Sequence, residues 1–452
     1  MLRIKLAMAR LLRTVSRRLG GRGGTTLPGR VLLRLDSDTI AVLGKRLDRG
    51  SVVVSATNGK TTTASMLAAV LEFTGARVVH NRAGSNMNWG VATALLDAGP
   101  GSGQIGLFEV DEAWLASVAR ELDPTLILLS NLFRDQLDRY GELELLADRW
   151  ADLVAERDGR STFVLNADDP LVADLGRERR RVVYFGVDDR SHSLESLEHA
   201  SDSKRCRNCG HDYVYEAVYL GHLGHYHCPN CGRARPAPQV AAEKVTLRGM
   251  SGSDVRIATP GGTFELALPL PGLYNVYNAL AATAAALELG ASTSQVRDAL
   301  SSFAAAFGRV ERLQVNGREL AILLVKNPAG ANEVLRTLTL EHGALDLWIA
   351  LNDGIADGRD ISWIWDADFE VLAGRIRHIT CSGTRAEEMA LRLKYAGVEL
   401  DAISVEREVG RSLDSAVASG NGQPLYALPT YTALLQLRDL LSDRGLARRW
   451  SE

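Results

Sequence analysis

No run of eighteen or more apolar residues occurs in the 452-residue chain, so nothing in it reads as a bilayer-spanning helix. A dominant charge is also missing: 52 Lys and Arg against 55 Asp and Glu leave a net −3, which gives no overall pull toward nucleic acid. The chain has no internal repeat and no long low-complexity tract. Cysteine is scarce, and four of the five fall between positions 206 and 231, so no disulfide framework is spread over the fold. Met1 to Gly20 is basic and apolar but lacks a compact apolar core ahead of a small-residue cleavage site, so it does not read as a signal peptide. The expected location is cytoplasmic. What remains, with 46% hydrophobic and 24% charged residues, is an ordinary globular composition, and the length implies two or three domains.

The most informative stretch is Ser51 to Thr63, SVVVSATNGKTTT. A β-branched run leads into Asn58-Gly59-Lys60-Thr61 and then into a helical pattern. Backbone N–H groups at such a helix start cradle phosphate oxygens, Lys60 neutralises them, and the Thr61 hydroxyl can hold magnesium. The match to a P-loop is incomplete, because Val54 stands where the pattern has its first glycine. From Ser51 to about Gly186, strands expected at Ser51–Ser55, Arg77–His80, Ile105–Val110, Leu126–Ser130, Thr162–Leu165 and Val182–Phe185 alternate with helices starting near Thr61, Trp89, Glu112 and Glu142. That alternation implies a parallel sheet with its site at the carboxyl ends of the strands, where Lys60, Glu109 and Asn131 would meet.

Ser191 to Gln239 interrupts this rhythm. Cys206-x-x-Cys209 and Cys228-x-x-Cys231, eighteen residues apart, have four-thiolate zinc spacing, and four ligands make a closed structural site. The nearby His211, His222, His225 and His227 are expected at the surface, and Cys381 is expected as a core thiol. Antiparallel strands follow over Val245–Leu268, then helices over Asn275–Leu289 and Thr293–Phe303. A second α/β pattern starts near Gly308, with strands about Leu320–Val325, Leu345–Leu351, His378–Cys381 and Leu425–Leu428. The expected division is 1–45, a basic N-terminal segment; 46–306, a nucleotide domain with a zinc ribbon inserted at about 200–238; and 307–452, a second α/β domain. In the N-terminal segment Arg3, Lys5, Arg10, Arg13, Arg17, Arg18 and Arg22 alternate with apolar residues. Such a helix could rest on an anionic membrane surface or pack on the nucleotide domain, and the uneven apolar stripe favours packing.

Taken in order, several strings resemble the Mur ligases. They are Thr57-Asn58-Gly59-Lys60-Thr61, Glu109, Asn131-x-x-x-Asp135-x-Leu137-Asp138, Asn166-Ala167-Asp168-Asp169, Pro271-Gly272-x-x-Asn275-x-x-Asn278-Ala279 and Gly308-Arg309-x-Glu311. Longer strings resemble the MurT family within them: Asn81 to Asn86, Asn131 to Glu142, the four-cysteine insertion, Lys326-Asn327-Pro328-Ala329-Gly330, and Asp357 to Asp366. The resemblance covers nearly the whole chain. It implies a P-loop central domain carrying a zinc ribbon, followed by a Rossmann-like C-terminal α/β domain.

The implied reaction is ATP-dependent amidation of the α-carboxylate of D-glutamate in the lipid II stem peptide, through an acyl phosphate. ATP, magnesium and structural zinc are the implied cofactors. Thr57, Asn58, Gly59, Lys60, Thr61, Thr62, Asn275 and Arg309 are the implied nucleotide contacts. Thr61 and Glu109 are the implied magnesium ligands, with Asp111 in reserve. Lys60 would act on the transferring phosphoryl group. Cys206, Cys209, Cys228 and Cys231 would hold zinc.

The chain lacks a glutaminase motif, so ammonia is expected from a GatD-type glutamine amidotransferase, whose catalytic histidine Asp357 or Asp360 would orient. An aspartate capping a helix near Ser362 is the simpler reading of Asp360. Two departures from amino-acid-adding Mur ligases are Gln136, in place of a metal-holding histidine, and Lys326-Asn327-Pro328, in place of a His-Asn-Pro motif. The alternative of an amino-acid-adding or folylpolyglutamate-type ligase is weakened by both. A zinc-ribbon nucleic-acid ATPase is opposed by the net charge.

Overall fold

The run Ser51–Ser55 forms β1, and all five of its residues are buried. Continuous apolar runs of this kind suit a strand covered on both faces. The computed structural model describes residues 27–81, 85–99, 101–134, 143–198, 201–303, 309–420 and 422–447. Two helices come first, α1 (Leu27–Leu35) and α2 (Thr39–Gly44). Six parallel strands then alternate with helices: β1, α3 (Lys60–Phe73), β2 (Arg77–His80), α4 (Asn88–Ala98), β3 (Gln104–Glu109), α5 (Leu115–Leu122), β4 (Leu126–Leu129), α6 (Leu143–Glu156), β5 (Thr162–Asn166) and β6 (Val182–Val187). The hairpin β7 (Val214–Leu220) and β8 (Leu223–His227) stands apart as its own sheet. The chain then returns through β9 (Val240–Leu247), β10 (Ser253–Thr259) and β11 (Gly262–Leu268). The nine-stranded order is β11-β10-β9-β6-β5-β4-β1-β3-β2, with only β10 and β11 adding antiparallel pairs.

Helix α7 (Leu273–Glu288) is buried nearly all round and lies against α3. Its alanines at 279, 281, 282, 284, 285 and 286 favour the helix and let it approach closely. After α8 (Thr293–Ser301), a second sheet forms from β12 (Arg309–Val315), β13 (Arg318–Leu323), β14 (Leu345–Ala350), β15 (Ile376–Ser382), β16 (Ile403–Val405) and β17 (Leu425–Pro429). Its order is β12-β13-β17-β14-β15-β16, parallel except for β12. Helices α9 (Pro328–Thr339), α10 (Ala386–Tyr395), α11 (Val409–Ala418) and α12 (Tyr431–Asp443) cover it.

The N-terminal residues that are described pack on the first unit. Gly29 N donates to Thr93 Oγ1 at 3.0 Å, and the Arg30 guanidinium lies 4.5 Å from the centre of the Trp89 ring. Residues 1–26, which carry the basic side chains from Arg3 to Arg22, lie outside the described residues. No helix among the described residues is long and apolar enough to cross a membrane.

At the amino ends of the second sheet, away from the site, sits a buried charge cluster. Arg318 donates to Gln423 O and Ala416 O, each at 2.6 Å, and bridges the buried Asp346. Arg377 Nε also donates to Asp346 Oδ1, at 2.9 Å. Burial opposes ionisation of Asp346, but Arg377 and Arg318 together hold its carboxyl below the usual range. Arg318→Met should therefore cost about 3 kcal/mol in chemical denaturation at pH 7, because it strands part of that buried charge. A carboxyl held low in the folded state contributes fully above its unfolded value, and that contribution fades as pH falls through about 4. The gap between variant and parent should accordingly narrow in acid.

Candidate functional site

The P-loop turn is set by its glycine. Gly59 has φ +82°, and a Cβ there would lie 2.0 Å from Asn278 Oδ1 on α7. A side chain is thus excluded by backbone conformation and by contact. Asn278 Oδ1 also accepts from Thr63 Oγ1 at 3.1 Å, and Asn278 Nδ2 donates to Asn275 Oδ1 at 3.1 Å. Asn275 in turn donates to Pro271 O at 2.8 Å. Its amide is occupied in bracing α7, while Asn278 is the one that lines the adjoining cavity.

Lys60 opens α3 and is buried. Its ammonium donates to Ala56 O and to Glu112 Oε2, both at 3.0 Å. Burial works against its charge, but Glu112, Asp111 and Glu109 overcome this and raise its pKa above the ordinary lysine value. Glu112 is shifted the opposite way: burial would raise it, and Lys60 and Lys326 pull it down. Beside this pair, Thr61 Oγ1 donates to Glu109 Oε1 at 2.7 Å. The register of β1 against β3, which pairs Val54 with Glu109, brings that carboxylate to the turn. Asn81 holds the same strand end, accepting from Glu109 N at 3.0 Å.

Asn131, just past β4, clamps the turn from the other side. Its Oδ1 accepts from Asn58 N at 2.8 Å, and its Nδ2 donates to Asn58 O at 2.9 Å. Thr57 Oγ1 accepts from Phe133 N at 3.1 Å. Lys60, Glu109 and Asn131 therefore meet in one crevice, as the alternating pattern implies. The segment 135–142, with Gln136, lies outside the described residues, as does the side chain of Arg309.

The second unit docks directly on this turn. Lys326 Nζ donates to Thr57 O at 3.0 Å, and Asn327 Nδ2 donates to Asn58 Oδ1 at 3.0 Å. Between the two units lies a cavity of about 120 Å³, lined by Asn58, Gly59 and Thr62 of the turn, by Leu220 and Leu223 at the β7–β8 turn, and by Gly330 and Glu333 of α9. These partners were not evident from sequence. For Glu112 the only signal was a fourth residue in the run Glu109-Val110-Asp111-Glu112.

The two candidate aspartates differ in exposure. Asp357 is buried, accepting from Thr432 N at 2.7 Å and Gly354 N at 3.2 Å as well as from the Thr432 hydroxyl. Burial raises its pKa. Asp360 is exposed, and its Oδ1 accepts from Ser362 N at 2.8 Å, the first residue of a short 3-10 turn, Ser362–Trp365, whose N-cap is Ile361 and which stands in place of a longer helix.

The four cysteines converge. Sγ atoms of Cys206 and Cys231 lie 3.5 Å apart, those of Cys209 and Cys228 3.4 Å apart, and all four lie within 4.8 Å of one another. A tetrahedron with zinc–sulfur bonds of about 2.3 Å has edges of about 3.8 Å, so the set fits that ion. Gly210 N donates to Cys206 O at 2.8 Å and Gly232 N to Cys228 O at 3.0 Å, closing both turns. Two of the four histidines depart from expectation, while His211 is exposed and His227 partly exposed. His222 is fully buried against Phe133, with ring centroids 4.6 Å apart, and His225 is buried with Nε2 2.8 Å from Val187 O. The hairpin lies on the sheet, so its inner face is core. Cys381 is a core thiol, pushed up to about 12 by burial.

Residues 54–235 match the Mur ligase middle domain model, and residues 324–434 match the MurT ligase C-terminal model. The chain is 33% identical over 436 residues to the lipid II isoglutaminyl synthase (glutamine-hydrolysing) subunit MurT of Staphylococcus aureus (strain N315), covering 96% of each chain. It is 33% identical over 429 residues to the protein of that name from Streptococcus pneumoniae (strain ATCC BAA-255 / R6), covering 94% of each. Among solved structures, a pseudomurein peptide ligase type C from Methanothermus fervidus aligns with TM-score 0.69 at 22% identity, over 89% of this chain and 80% of that one. MurF ligase from Thermotoga maritima aligns with TM-score 0.62 at 13% identity, over 90% and 84%. These two likenesses concern the fold. Shared identity along the full length of both MurT relatives carries the assignment: the chain belongs to the MurT family of Mur ligases.

Proposed function

We propose that this chain is the ligase subunit of a lipid II isoglutaminyl synthase, amidating the α-carboxylate of D-glutamate in the stem peptide with ATP. One observation supports this most: a buried Lys60 beside the Thr61–Glu109 pair, on the turn whose Asn58, Gly59 and Thr62 line a cavity shared by both α/β units. A carboxylate is a poor electrophile. Transfer of the γ-phosphoryl group to its oxygen gives an acyl phosphate and ADP; ammonia then attacks the carbonyl carbon and phosphate leaves. The triphosphate would lie on the N–H groups at the start of α3. An ammonium has three N–H donors, and Ala56 O and Glu112 take two of those on Lys60, leaving the third to meet a phosphate oxygen. Thr61 and Glu109 would hold magnesium, which when bound neutralises charge on the phosphate oxygens.

Ammonia is mostly ammonium at neutral pH, so a glutaminase partner of the GatD type would deliver it. A residue that orients a partner's histidine has to be exposed, and this favours Asp360 over the buried, fully engaged Asp357. The expected place of action is the cytoplasmic face of the membrane, where the lipid-linked substrate is presented. The four-cysteine cluster would hold zinc as a closed structural site.

Lys60→Ala should lower ATP-dependent amidation of lipid II, read by mass spectrometry, by about a thousandfold. Asp360→Asn should abolish amidation driven by glutamine while sparing that driven by ammonium chloride; loss of both, or of neither, would remove the assignment. Metal analysis of the purified chain should find one zinc per polypeptide, and Cys206→Ala with Cys231→Ala should bring it to none while lowering the melting temperature.

A further inference from the structure

The β7–β8 turn belongs to the four-cysteine insertion, yet it reaches the cavity between the two α/β units. Gly221 at its tip has φ +55°, and a Cβ there would lie 2.8 Å from the Phe133 ring. Phe133 is itself tied to Thr57 of the P-loop turn. Leu220 and Leu223, on either side of the tip, line the cavity opposite Gly330 and Glu333 of α9. Two walls that come from distant parts of the sequence must therefore be held at a fixed separation.

One side chain joins them. Glu198, buried, accepts from Gly221 N at 2.6 Å through Oε2. Its Oε1 accepts from Asn332 Nδ2 at 2.7 Å and from the Arg336 guanidinium, both on α9. Asn332 continues the link, its Oδ1 accepting from Asp368 N at 2.8 Å. A carboxylate accepts on both sides, and each of these three described partners is a donor. An amide of the same shape cannot do this, because its NH₂ would meet an N–H either at Gly221 or at α9.

We propose that Glu198 is a positioning residue for nucleotide binding: it locks the ribbon turn to α9, so that both walls of the cavity are set before the ligand enters. This rests on reading the cavity as part of the nucleotide site. The insertion then serves the reaction from within, with its cysteine cluster stiffening the hairpin whose tip forms a wall. Preorganisation of this kind appears in affinity for the nucleotide and little in the chemical step.

The test uses the full chain with its glutaminase partner, ammonium chloride as nitrogen source, and a fluorescent N-methylanthraniloyl ATP as binding probe. For Glu198→Gln, the dissociation constant of the probe and the KM for ATP should rise about tenfold, with kcat changed less than about twofold and the KM for ammonium unchanged. Zinc content should equal that of the parent. Arg336→Gln, which leaves the insertion untouched, should reproduce the rise, and the double variant should bind no more weakly than the weaker single one. Equal probe affinity in the parent and in Arg336→Gln would overturn the proposal, as would a fall in kcat with KM for ATP unchanged. A parent that binds no probe would instead remove the nucleotide reading, and this one with it.

Discussion

An ammonium in a protein interior is tolerated only when its charge is matched, and Lys60 is such a group. Glu112, Asp111 and Glu109 supply the match, and all three sit at or just beyond the end of β3. β3 must therefore lie beside β1, as it does in parallel register. The strand order at the centre of the large sheet is thus linked to one charge. The same arrangement leaves Lys60 ionised and directed by fixed partners before any phosphate arrives, which is the electrostatic condition for stabilising a transferring phosphoryl group.

Around that charge three parts of the chain converge. The turn after β1 offers its backbone, Asn131 grips it from β4, and Lys326 with Asn327 grips it from the second unit. The four-cysteine hairpin closes the remaining side through Leu220 and Leu223. The insertion of this Mur ligase thus supplies part of the wall of one shared cavity, even though it looks from its composition like an appendage.

Much of this was legible in the sequence because it depends on local pattern. The runs Ser51–Ser55 and Arg77–His80 are strands with those ends, since β-branched apolar residues between turn formers leave few alternatives. The cysteine cluster followed from spacing alone. The ribbon's hairpin did not, because β7 and β8 pair only with each other and their inward face is set by the sheet beneath. For the same reason His222 and His225 read as surface residues in a polar segment yet are buried. The role of Asn278 was likewise hidden. Asn275 and Asn278 are three residues apart on one helix, and only the approach of Gly59 determines which amide faces the cavity. Asp357 and Asp360 could not be separated by motif, since burial depends on Thr432, seventy-five positions away.

The docking of Lys326 and Asn327 on Thr57 and Asn58 has one more consequence. The residues of the P-loop turn are also the plate on which the second unit rests. Any swing of that unit away from the first must break one bond to the backbone of the turn, at Thr57 O, and one to the side chain of Asn58. If the turn holds a nucleotide, parting of the two units and loosening of that turn are linked through these same few hydrogen bonds.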